Sequence, residues 1–103
     1  MNNKTRVVIA DDQNISRGFF EMYVRAAVGY ELVAGLRTAG EAVEFLDENE
    51  ADLLILDVMM QEGIDGITAA QQIKEKHPSL NLQVLIFVKA KISDHEKLHL
   101  ENV

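Results

Sequence analysis

Apolar and polar residues follow two rhythms along this chain. Val7–Ala10, Leu53–Leu56 and Val84–Val88 are short apolar runs of strand length without alternation. Strands covered on both faces read this way. Glu31–Leu36 alternates instead, which predicts a further strand with Leu32 and Ala34 on one face. Between these runs apolar residues recur at helical spacing. Phe19, Phe20, Tyr23, Val24 and Ala27 predict a first helix, with Phe19, Phe20 and Tyr23 read as its core side chains. Asn14 or Ser16 can cap it, and Gly29 ends it. Thr38 and Glu41 form a capping-box pattern ahead of Ala42, Val43, Phe45 and Leu46. Ile67, Ala70 and Ile73 predict a third helix, closed near His77-Pro78. Ser93 can cap a last helix reaching about Asn102. The order is βαβαβαβα. Right-handed crossovers turn it into an α/β, doubly wound parallel sheet with helices on both faces.

Two of the apolar runs end in acids. Val7–Ala10 leads into Asp11-Asp12, and Leu53–Leu56 into Asp57. If the two strands lie side by side and parallel, three carboxylates meet at one rim of the sheet. Ligands of such sheets bind beyond the carboxyl ends of the strands. Three negative charges at that distance repel unless a cation sits among them. Oxygen ligands without Cys or His favour a hard ion, Mg²⁺, which keeps several waters and accepts a phosphate oxygen. The pattern points to metal-assisted phosphoryl chemistry. The bland alternative for Asp11-Asp12 is an exposed acidic turn; for Asp57 it is a helix or turn cap.

The segments Val7-Val8-Ile9-Ala10-Asp11-Asp12-Gln13 and Leu54-Ile55-Leu56-Asp57-Val58-Met59-Met60-Gln61-Glu62-Gly63-Ile64-Asp65-Gly66 resemble the receiver domain of two-component response regulators. The resemblance runs from about Arg6 to Ala90. It implies a flavodoxin-like sheet with strand order 2-1-3-4-5. It implies that Asp57 is the phosphoacceptor, with Mg²⁺ held by Asp11, Asp12, Asp57 and the backbone carbonyl of Met59. The donor would be the phosphohistidine of a histidine kinase or a small acyl phosphate. The acyl phosphate formed would bias a two-state equilibrium of the domain. The protein would then be a cytoplasmic signalling module and not an enzyme.

Departures from the family pattern qualify this reading. Gln61 replaces the family's usual Pro, and the loop to Asp65-Gly66 is one residue longer than its commonest form. Lys89 stands where the family has a switch Thr or Ser, leaving two roles open: a phosphate contact, or an altered switch position. Val103 comes too soon for the family's fifth strand, that strand's Lys and the fifth helix. The expectation is therefore a single receiver-like domain over residues 1–103, incomplete at its C-terminal end and without an output domain. The fourth strand would become an exposed edge, which predicts a homo-oligomer. A receiver-like interaction module that no longer signals by phosphate is the alternative. A phosphatase with an aspartyl nucleophile is disfavoured, because Met59 stands where its second Asp would be.

Composition narrows the classes further. The chain has 103 residues, 48% hydrophobic, enough for one domain with a core. A net charge of −7 argues against a nucleic-acid surface or an anionic-membrane surface of its own. With no Cys there is no thiolate metal site, which suits a reducing cytoplasm. His95-Glu96-Lys97-Leu98-His99 matches the H-E-x-x-H zinc-protease pattern. Only Leu100–Val103 follow, and a protease needs a third ligand and a cleft, so the match reads as chance on a charged helix.

Overall fold

A computed structural model describes residues 3–57, 65–78 and 83–87. Among these residues four strands and three helices alternate: β1 Thr5–Ala10, α1 Asn14–Ala26, β2 Tyr30–Leu36, α2 Ala39–Glu48, β3 Leu53–Asp57, α3 Gly66–Lys76 and β4 Gln83–Phe87. The expected last helix, Val88 at the end of the fourth strand, and the H-E-x-x-H stretch lie outside the described residues. The strands form one parallel sheet in the order β2-β1-β3-β4. This is the α/β, flavodoxin-like receiver arrangement that the sequence predicts.

Both faces of the sheet are covered, which explains the unbroken apolar runs. Val8, Ala10, Leu54 and Leu56 pack with Ala42, Leu46 and Ile73 beneath α2 and α3. Val7, Ile9 and Ile55 pack with Val24 beneath α1, joined by the partly buried Phe20 and Leu32. Successive strand residues thus serve opposite cores. Burying each large aliphatic side chain stabilises by about 1.5–3 kcal/mol.

Three sequence expectations need correction. Phe19 and Tyr23 do not enter the core; they are 54% and 68% exposed. Helix α1 turns Phe20 and Val24 inward, with Arg17 and Glu21 largely covered beside them. Ile67 is 52% exposed, while Ala69 and Ile73 carry the buried face of α3. Leu32 and Ala34 do not share a face, since Leu32 packs under α1 and Ala34 under α2 and α3. A register shift is the cause: Val7 pairs with Leu32 but Val8 pairs with Ala34, so Val33 is an extra residue in β2.

Helix ends follow local chemistry. Thr38 Oγ1 accepts the Glu41 backbone N–H at 3.1 Å, the predicted cap of α2. Asp65 Oδ1 accepts the Thr68 N–H at 2.7 Å and caps α3, which holds the Asp65 carboxyl below its usual pKa. His77 closes that helix. Gly29, at φ 88°, makes the turn from α1 into β2 in a conformation that favours glycine.

Candidate metal and phosphoryl site at the strand ends

Register brings the acids together. Ala10 and Leu56 are partners across β1 and β3, so the next residues, Asp11 and Asp57, stand side by side. The Asp11 N–H donates to Leu36 O of β2 at 3.0 Å, carrying the ladder one residue past the strand. Asp11 and Asp57 are fully buried and Asp12 is partly buried. The burial rules out an exposed acidic turn. One oxygen from each of the three carboxylates lies within 4.8 Å of the others. Each ionised pair at that separation repels by on the order of 3 kcal/mol at an effective dielectric of about 20. An all-oxygen, anionic, buried donor set of this kind can hold a hard cation. The residues present fit one.

The start of α1 grips this rim. Gln13 N–H donates to Asp11 Oδ1 at 3.0 Å, and the Ser16 hydroxyl donates to Asp11 Oδ2 at 2.5 Å. Ser16 therefore does not cap the helix, and neither does Asn14: Gln13 stands at the N-cap with no side-chain cap bond. Arg17 Nη1 donates to the Asp11 carbonyl at 2.9 Å, and Arg17 Nη2 to Asn14 Oδ1 at 2.7 Å. Glu21 Oε1 lies 3.9 Å from Arg17 Nε. The Glu21 carboxylate lies against Gly35, where a Cβ would come within 2.5 Å of Oε2 and shift the end of the Glu21 side chain.

The sequence singled out Asp11, Asp12 and Asp57, and the fold brings all three together. Met59 and Lys89 lie outside the described residues. Ser16, Arg17 and Glu21 were not read as site residues. The available signal was their place on the first turns of α1, directly after the acids, on the face that Phe20 and Val24 share. Other clefts among the described residues lie away from these acids. One of about 440 Å³, at the opposite end of the sheet, is open and lined by residues such as Asp47, Lys76 and His77.

The profile of the response regulator receiver domain matches residues 7–100. The chain belongs to that family. Relatives of this receiver domain include the oxygen regulatory protein NreC of Staphylococcus haemolyticus, 34% identical over 80 residues, which cover 78% of this chain and 37% of that protein. A protein-glutamate methylesterase/protein-glutamine glutaminase of Bradyrhizobium diazoefficiens is 40% identical over 75 residues, 73% of this chain and 19% of that protein. The receiver domain thus spans well under half the length of these relatives. Among solved structures, a LuxR-family two-component response regulator from Aurantimonas superposes with a TM-score of 0.75 at 26% identity, covering 95% of this chain and 68% of that one. No helix among the described residues is long and apolar enough to cross a membrane.

Proposed function

We propose that this receiver domain takes a phosphoryl group onto Asp57 and passes the event on as a change of conformation. The observation that carries the reading is the buried meeting of Asp11, Asp12 and Asp57 at the carboxyl ends of β1 and β3. A carboxylate oxygen of Asp57 attacks phosphorus in the donor, and the bond from phosphorus to the donor's leaving group breaks. The leaving group is the imidazole of a histidine kinase's phosphohistidine, which takes up a proton, or the carboxylate of a small acyl phosphate. Asp57 becomes the acyl phosphate. Asp11, Asp12, Asp57 and the Met59 carbonyl hold Mg²⁺ in this reading, and the ion supplies charge that offsets the anionic groups gathered there. Lys89 places a further cation near the phosphate or holds the altered switch position.

The module is cytoplasmic in this account and has no turnover of its own. Its acidic balance of −7 supports no direct nucleic-acid contact by these residues. A histidine kinase is the first partner. A second copy of the chain, paired along β4, is another.

Incubation with a small acyl phosphate and Mg²⁺, followed by intact mass, tests this. The account expects slow addition of one phosphoryl group per chain, lost on chelation and in Asp57→Asn. Continuous turnover would make the chain an enzyme. No label would make it an interaction module without phosphate signalling.

A further inference from the structure

Both oxygens of Asp11 accept hydrogen bonds from the first turn of α1, and the two donors differ in kind. The Gln13 N–H at 3.0 Å is backbone, so nearly any residue at that position supplies it. The Ser16 hydroxyl at 2.5 Å from Oδ2 belongs to this sequence. Side chains on a helix lean toward its N-terminus. Ser16, the third residue of α1, therefore leans back over the end of β1, where Asp11 sits. A hydrogen bond at each oxygen from the same helical turn opposes rotation of the carboxylate about its Cβ–Cγ bond.

We infer that Ser16 is a positioning residue for the cation site. Its hydroxyl sets the rotation of the Asp11 carboxylate, and with it the direction of the oxygen that faces Asp12 and Asp57. The inference rests on the reading of these three acids as a Mg²⁺ site. Partners of ligating carboxylates act in this way, and their loss commonly weakens metal binding by about 10–100-fold. The bond also joins the cation site to α1, since a shift of the Asp11 carboxylate must move or release the helix's first turn.

The test is a Mg²⁺ titration of the full chain followed by backbone amide shifts, in wild type, Ser16→Ala and Ser16→Thr, with a denaturant melt of each. Ser16→Ala should bind Mg²⁺ about tenfold more weakly. Ser16→Thr, which keeps the hydroxyl, should bind within about threefold of wild type, in keeping with that second-shell role. A hydroxyl with a merely structural part would lower the melting midpoint of Ser16→Ala and leave its Mg²⁺ affinity unchanged, which overturns the inference. Equal weakening in Ser16→Thr overturns it too. If Ser16→Ala does not fold, Ser16→Cys, a weaker donor of similar size, takes its place with the same expected direction. A wild-type chain that shows no response to millimolar Mg²⁺ overturns the cation reading itself. A wild type that binds while Ser16→Ala binds equally well overturns only the part given to Ser16.

Discussion

Asp52 shows how single charges set the frame on which the acids sit. Arg6 donates to it three times: from its backbone N–H to Oδ2 at 2.8 Å, from Nε to Oδ2 at 3.0 Å, and from Nη2 to Oδ1 at 3.1 Å. These bonds clamp the starts of β1 and β3, at the end of the sheet opposite Asp11 and Asp57. The register that pairs Ala10 with Leu56 begins there. Hydrogen bonds from the Arg6 side chain, then from its backbone, hold the Asp52 carboxyl below its usual pKa. A carboxylate with a lowered folded pKa adds stability that is complete at neutral pH. That stability is lost as the pH falls below about 4, through the folded value. Asp52→Asn should therefore lower the urea midpoint at neutral pH, and the two proteins should converge on acidification. The gap should be modest, because the Arg6 and Asp52 side chains are 40% and 38% exposed and solvent screens the pair. A gap of constant size across pH would contradict the role given to this pair.

Helix α1 is the element that the sequence describes least well. Its apolar residues fall on two faces at once. Phe20 and Val24 pack on the sheet, whereas Ile15 and Tyr23 are 79% and 68% exposed. Apolar spacing alone could not choose between the faces, because Phe19-Phe20 and Tyr23-Val24 are adjacent pairs that both repeat at four residues. The choice is made by Arg17 and Glu21, which share the inner face and close over the Asp11 carbonyl and Gly35. Polar residues on an inner helical face read as noise until the strand end they serve is known. The bulge at Val33 was hidden for a related reason: it changes side-chain direction without changing composition. By contrast, β1, β3 and the cap at Thr38 rest on local chemistry, and their outlines are legible from the residues themselves. Of the site, the three acids are legible because strand ends concentrate ligands, but Ser16 is not, since its bond depends on the angle at which α1 leaves β1. The orientation of α1 has a direct check by denaturant melts. Ile15→Ser and Tyr23→Ser should change stability by no more than about 0.5 kcal/mol. Val24→Ala should cost about 2 kcal/mol. The reverse ranking would mean that α1 is rotated.

At the scale of the whole molecule, β2 and β4 are the outer strands of the sheet among the described residues. Among the described residues β4 pairs on one side only, with β3. Its sequence, Gln83-Val84-Leu85-Ile86-Phe87, has no Pro or charge of the kind that blocks edge pairing. The proposed pairing of two copies along β4 predicts self-association of this polypeptide at micromolar concentration. Sedimentation checks this, and a persistent monomer with a cooperative melt would remove β4 as the pairing surface. Self-association and phosphoryl acceptance are separate claims, because β4 lies beyond β3 from β1, while the acids stand between β1 and β3. The central claim is that Asp57 receives the phosphoryl group in a cradle completed by Asp11 and Asp12. Its most direct measurement is the position of the label: borohydride reduction of the phosphorylated chain, then peptide mass mapping, since reduction converts an aspartyl phosphate to homoserine. The account predicts homoserine at position 57, formed only when Mg²⁺ was present during labelling. Homoserine at position 11 or 12, or at 57 regardless of Mg²⁺, would contradict it.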